Sequence, residues 1–524
     1  MSKARNLATL LTTDGSVKPT KYADSVGGQA TFVASGALPN GSPVILNSDG
    51  TVSVVGTVVA DVTLTLAWPA GSYTAMTSSG TNGNMDSDFN KSIANQFVVV
   101  YGDNTNSNFH TCIVGTVNGT AITFGSAVVY LSSSCSSTMV KFDPNRSDKF
   151  VIYYQDNSDS YKRKLLVGTI SGTTPAFAYS PVDVTTGYGN TSYRNCLQFD
   201  PFNADKFLII YQDGSSPTRV RVCTINNASA ITLGTAVQAV TASTQYQQIT
   251  LDQNTANKFL ITYKDGNGDG SAKAGTISGN SVTFGAEFTF DTGNSYYICT
   301  DSEKGRSGKF LVGTYDQPNS GRTQLRVLTV TGTTVTAGTV TSLANGPFYM
   351  HGMHNDPNSA GSFIFTGQIG ASPYSHKAYT ASVSSGDIVT VAGPYDVSGG
   401  QRGDFSAIAF DPNNNGKFVF GGGYNTSLST WGTKYGVGQL GGVYQGSTSN
   451  LTTSNFIAIS SAAYADTETA TLNLQGGTAT NLSGLTAGTT YYAQGDGTLG
   501  ESPDNPSVEV GKALSTTSIL LKGI

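Results

Sequence analysis

The stretch FDPNRSDKFVIYYQD at 142–156 returns as FDPFNADKFLIIYQD at 199–213 and as LDQNTANKFLITYKD at 251–265. All three have the same order. A short apolar run ends in Asp, a phenylalanine stands seven residues later, and a second apolar run closes in Asp. The phenylalanine recurs as Phe97, Phe150, Phe207, Phe259, Phe310, Phe363 and Phe418, about every 53 residues. Self-similarity at this period belongs to modular arrays, in which each unit buries a face against the next.

Within a unit the residue types predict strands. Asp143-Pro144, Asp200-Pro201, Asp356-Pro357 and Asp411-Pro412 end the first strand, because Asp bonds the backbone beyond it and Pro cannot donate to a ladder. The copies ending at Phe97 and Phe310 read as carrying two extra turn residues. A third strand holds Gly115–Val117, Gly168–Ile170 or Gly275–Ile277, with Cys223 once in the place of Gly. Asn118-Gly119, Ser171-Gly172 and Ser278-Gly279 follow, dipeptides that accept the positive φ of a tight hairpin. A fourth strand, AITFG at 121–125 or SVTFG at 281–285, closes the unit.

Four antiparallel strands in about 53 residues make one propeller blade. A β-solenoid has shorter coils, and separate sandwiches need about 100 residues each. The chain is therefore predicted to be all-β, with a seven-bladed β-propeller over 61–445; six or eight blades are the alternatives if an end copy is degenerate. The last copy runs through DFSAIAF (404–410), GKFVFGGGY (416–424) and TKYGVGQL (433–440) without an evident fourth strand. VTLTLAW (62–68) alternates like a strand and has no partner, so it is predicted to complete that blade and close the ring.

The propeller is predicted to be inserted into a small flanking β-module, with 30–60 as its first half and 446–524 as its second. Asn40-Gly41 and Asp49-Gly50 are hairpin signals in the first half, and the SDGTV and GDGTL turns of the two halves look related. Insertion at a surface turn is tolerable because domain termini often lie close together. Residues 1–29 read as a polar arm with a weak apolar pattern at Leu7, Leu10 and Leu11.

Composition narrows the function. Charged residues are 12% of the 524, while Gly reaches 62, Tyr 26 and Phe 24, a usage of short strands and tight turns. A net charge of −5 and a pI near 5.4 exclude a nucleic-acid footprint. Lys162-Arg163-Lys164 reads as a solvated turn. Cys112, Cys135, Cys196, Cys223 and Cys299 are odd in number, dispersed and without CxxC, which argues against a disulfide scaffold or a zinc site and for folding in a reducing cytoplasm. No apolar run approaches the ~18 residues that cross a bilayer, so membrane insertion is not expected, and the N-terminus lacks a signal core.

Tyr193, Tyr246, Tyr349 and Phe405 lie 13 or 14 residues before their phenylalanines, and Tyr296 and Tyr297 hold a similar place. The start of an innermost strand lies near the mouth of the central channel, where aromatic faces with polar tips can stack on sugars. The competing reading is packing between blades. His351 and His354 stand beside Tyr349 and join the candidate receptor contacts; without an acidic partner they are a weak metal signal. DGNGDG (Asp265–Gly270) matches half of a calcium loop, but Thr276 stands where the bidentate Glu belongs, and sister blades place QDNSDS and QDGSSP there. Turn chemistry is the reading, with no metal or cofactor. A glycosidase needs two facing carboxylates, whereas Asp143, Asp200 and Asp252 recur with the turns. Nor is a nucleophile elbow present. An enzyme is not expected.

SKARNLATLL (2–11), with the polar stretch after it, resembles the start of tail-fibre and related virion proteins of tailed phages, especially marine cyanophages. AGTTYYAQGDGTLGESPDNPSVEVGKALSTTSILLKG (487–523) is similar to the closing module of the same group. The resemblance covers about 130 residues at the two ends. It implies a non-enzymatic virion structural protein, in the tail rather than the capsid and made in the host cytoplasm. The arm and β-module would bind other virion proteins, and the ring would face a host surface glycan or protein. It also implies a homo-oligomer, trimeric as fibres usually are, although no heptad pattern enforces one. The ring has neither the Trp-Asp of WD40 blades nor the sialidase boxes. The resulting expectation is a tail fibre or host-recognition appendage. A purely structural capsid or tail decoration and a polysaccharide-degrading enzyme are the alternatives.

Overall fold

The computed structural model describes residues 28–58, 64–67, 74–77, 81–178, 180–187, 195–212, 214, 217–226, 230–317, 321–343, 347–369, 376–384, 386–397, 406–427, 430–441, 448–504 and 506–523. The chain divides into two compact units. One holds the chain up to Val59 together with Ser447–Ile524, and the other is Ala60–Gly446.

The second unit is a β-propeller. Among its described residues are seven antiparallel sheets of four or five strands, and here each is called a blade, numbered in chain order. The inner strands are Thr81–Phe89, Cys135–Phe142, Leu197–Phe199, Gln245–Leu251, Ser295–Ser302, Phe348–Asn355 and Ser406–Phe410. Each lies against the next, and the seventh lies against the first. Blade 7 takes its fourth strand from upstream of blade 1: Thr65–Ala67 pairs with Gln439–Gly441, as VTLTLAW predicts. Thr74–Thr77 pairs further along the same strand.

The repeated phenylalanine and the repeated glycine explain one another. Phe150 faces Gly168 across the ladder, and a Cβ on that glycine would lie 2.2 Å from the Phe150 ring. Phe97 with Gly115, Phe259 with Gly275 and Phe418 with Gly438 repeat the arrangement. Each ring occupies the place that a side chain on the glycine would take.

The turn aspartates join blades as well as ending strands. The Asp356 carboxylate accepts the Asn358 N–H of its own turn (2.9 Å) and the Gly416 N–H of the next blade (2.8 Å). Asp252 does the same with Asn254 and Gly308, and Asp143 with Asn145 and Asp205. Neighbouring inner strands share no ladder, so these side chains supply the missing bonds. The expected two extra turn residues in blades 1 and 5 are not there. Asn90 and Glu303, each seven residues before the phenylalanine, take the place of the Asp: their N–H groups bond Gln96 and Lys309 as Asp252 bonds Lys258.

Two further expectations change. In the first five blades the outer edge is two short pieces on one third strand, such as Ala121–Phe124 and Val128–Leu131. At the break, a Cβ on Gly125 would lie 2.2 Å from the Thr173 carbonyl of the next blade's hairpin. That neighbour's turn occupies the gap. Lys162-Arg163-Lys164 is strand, not turn; Lys162 pairs with Asp183 (3.0 Å) and Lys164 with Asp159 (2.6 Å). All five cysteines are buried and none is in a disulfide.

In the first unit the two chain ends share a sheet. Gln29–Val33 pairs with Thr469–Asn473, and Pro43–Leu46 lies between Phe456–Ser460 and Val52–Val54. The SDGTV and GDGTL turns have one geometry, in which Asp49 accepts the N–H and hydroxyl of Thr51 and Asp496 those of Thr498. Among the described residues no helix is long and apolar enough to cross a membrane.

Candidate functional site

The inner strands begin with a repeated irregularity. In blades 2, 4, 5 and 6 the pairing with the second strand slips near the start. At the slip Ser137, Tyr246 and Tyr297 take φ of 50°, 54° and 51°. Such a bulge bends the strand and re-aims the side chain it carries. Residues with side chains rarely adopt this φ, so the surrounding structure must hold it.

These bulges bring the tyrosines together. The Tyr246 ring lies 5.5 Å from Tyr297 and 6.0 Å from Tyr296, and Tyr297 lies 5.0 Å from Tyr349. Tyr315, opposite Tyr296 in the ladder, completes the cluster 5.1 Å from Tyr349. The separations and tilted or edge-on angles are those of favourable aromatic pairs. Tyr246 is almost buried, while Tyr296, Tyr297, Tyr315 and Tyr349 are half-exposed. Burial and then the neighbouring Tyr349 phenol raise the Tyr315 phenol above its ordinary pKa.

One cation belongs to the cluster. The Lys264 ammonium sits 3.6 Å from the centre of the Tyr296 ring, and the residue is only 8% exposed. Beneath Tyr296 a buried network fixes the start of its strand. Asp291 accepts from Ser295 Oγ (2.8 Å), Thr314 Oγ1 (3.1 Å) and Arg326 Nη2 (3.1 Å). Burial raises the Asp291 carboxyl.

Of the residues singled out in the sequence, Tyr246, Tyr297 and Tyr349 meet here. Tyr193 and Phe405 lie outside the described residues. The two histidines part company: the His351 ring lies 5.3 Å from His376, whereas His354 lines a cavity at the other end of the strand. Lys264 and Tyr315 were not singled out, although both stand five residues after a repeated phenylalanine, where other blades have Gln155, Gln212 and Gln368. In DGNGDG, Asp265 Oδ1 accepts the N–H groups of Asn267 and Asp269, and Asp269 Oδ1 accepts that of Gly293. Those carboxylates hold a turn.

The opposite mouth has a cavity of about 480 Å³ to which every blade contributes. Nine residues before each phenylalanine stand Asp88, Lys141, Gln198, Thr250, Asp301, His354 and Ala409, and all line it. The Asp301 carboxyl is raised to about 6 by burial, which outweighs the N–H groups of Asn355 and Ser302. Both its oxygens already accept those N–H groups, at 2.8 Å each, so it joins blades 5 and 6. Between the mouths Asn195 reaches across to the Thr300 carbonyl (3.3 Å).

No protein-family profile and no curated protein matches the sequence. Solved structures with a similar course include the BP39L lectin from Burkholderia pseudomallei, at 10% identity and a TM-score of 0.47, covering 67% of this chain and 98% of that one. Sqt1 from Chaetomium thermophilum is 10% identical with a TM-score of 0.43, covering 68% and 83%. AofleA from Arthrobotrys oligospora is 10% identical with a TM-score of 0.38, covering 68% and 94%. The propeller assignment rests on the strand pairing of this chain.

Proposed function

We propose that this chain is a non-enzymatic virion structural protein, a tail-fibre or host-recognition appendage whose propeller binds a host surface glycan at the tyrosine mouth. The observation that carries the recognition half is the contiguous cluster of half-exposed rings from blades 5 and 6, backed by Tyr246 of blade 4, with the nearly buried Lys264 ammonium on the Tyr296 ring. Sugar C–H faces pack on such rings, and sugar hydroxyls find the phenol tips. The rings stand on the first two strands of their blades, so little freedom is lost on binding. The virion half rests on the resemblance of the flanks, which also supplies the mounting partners, the tail location and the trimer.

The test is binding of the fluorescently labelled full chain to intact cells of the candidate host. A Tyr297→Asn/Tyr349→Ala variant runs beside it, Asn being chosen because it tolerates positive φ. Losing two stacking rings is expected to weaken saturable binding by roughly tenfold or more in a variant that still folds cooperatively, its melting temperature lowered only by the lost ring pairs. Equal binding by the variant removes the tyrosine mouth from recognition. Absence of binding by the folded parent favours a purely structural decoration.

A further inference from the structure

The cavity at the opposite mouth has a composition that the repeat does not require. The units keep their phenylalanines and turn residues, yet no two neighbouring blades present the same axis-facing residue. Around that ring the carboxylates are already engaged. Asp88 accepts the Phe142 N–H (2.8 Å) and the Lys91 ammonium (3.1 Å), and Asp301 accepts two backbone N–H groups. An ammonium has three donors, of which Lys91 gives one to Asp88. Lys141 stands 4.0 Å from Asp86, and Lys304 is exposed at the rim with no ion pair among the described residues.

The rim adds apolar faces. Six residues before the phenylalanine, Pro144, Pro201, Pro357 and Pro412 line the cavity, and Lys91, Gln253 and Lys304 stand at the same step in the other blades. Lys91, Lys141, Lys304, Gln198, Gln253 and the four prolines therefore line one space. Its volume is in the range of small-ligand sites.

We propose that this pocket binds one small sugar acid per chain, its carboxylate among Lys91, Lys141 and Lys304 and its C–H faces on the prolines. A free sugar acid and the acidic end of a polysaccharide share this chemistry. The site is independent of the tyrosine mouth, since it lies at the other end of the inner strands.

Calorimetric titration of the full chain at low salt with glucuronate and with glucose tests it. The expected result is one glucuronate per chain, bound at least tenfold more tightly than glucose. Lys141→Gln and Lys304→Gln should each weaken glucuronate about tenfold, and the rim position of Lys304 makes its variant the safer one for folding. Tyr297→Asn/Tyr349→Ala should leave glucuronate binding unchanged. A glucuronate-ended oligosaccharide that binds more tightly than the monosaccharide identifies a polysaccharide end as the source; equal or weaker binding identifies the free acid. No saturable glucuronate binding, equal affinity for glucose, unaffected lysine variants or a loss in the tyrosine variant would each overturn the proposal.

Discussion

A valine at Gly168 would put its Cβ 2.2 Å from the Phe150 ring, so one of the two must move in a packed interior. Gly168→Val is expected to cost about 1–3 kcal/mol, the range for overpacking, and to lower the melting temperature measured by circular dichroism. An unchanged transition would mean that the pair does not hold the blade. Asp356 makes a pH-dependent prediction. Burial raises its carboxyl to about 6 in the fold, above the ~3.9 of an unfolded chain. The folded form thus keeps a proton that the unfolded chain has released, and this group's contribution is full below about pH 4 and lost as pH rises through 6. The melting temperature of Asp356→Asn relative to the parent should therefore rise between pH 4 and pH 7.5. A constant difference would contradict the assignment. The phenylalanines were legible because their spacing is kept, and in four blades the residue opposite is the glycine whose missing side chain the ring replaces. Asn90 and Glu303 were not, because a different residue type there does the work of the Asp. Lys264 and Tyr315 were hidden in a position that other blades fill with glutamine.

At the level of elements, the closing strand is where the ring is most open to attack. Leu66 pairs with Leu440 in the ladder that completes blade 7, and the Leu64 carbonyl accepts from Thr380 Oγ1 of blade 6 (2.8 Å). Leu440 turns its own N–H to Gly416, so it is Ala67, opposite Gln439, whose N–H faces the third strand, and Ala67→Pro removes a ladder donor. It is expected to lower the unfolding midpoint of the whole propeller, because ring closure depends on that strand. A lower midpoint for the propeller by calorimetry would agree; an unaltered midpoint would mean that blade 7 holds without it. The sequence showed this strand through its unpartnered alternation and a last copy short of a strand. The broken outer edges were not visible, since the residue occupying the break at Gly125 is Thr173 of the next blade. Nor did the bulges show, because Tyr and Ser at positive φ leave no compositional mark as Gly does.

For the molecule as a whole, a repeated scaffold presents two unlike surfaces. Strand order and turn chemistry recur from blade to blade, so the propeller could be read from one period. The ends of the inner strands are free to differ, and there the tyrosines gather at one mouth and the lysines at the other. Which residues meet depended on ring closure and on the bulges, so the sequence placed Tyr246, Tyr297 and Tyr349 at one level without showing that they touch. The measurement that tests the recognition claim most directly is tyrosine footprinting of the full chain, free and bound to host cells, read residue by residue by mass spectrometry. The account predicts protection of Tyr296, Tyr297, Tyr315 and Tyr349 on binding, with exposed Tyr161, in the turn between the second and third strands of blade 2, unchanged. Binding that leaves those four as reactive as in the free chain would contradict it.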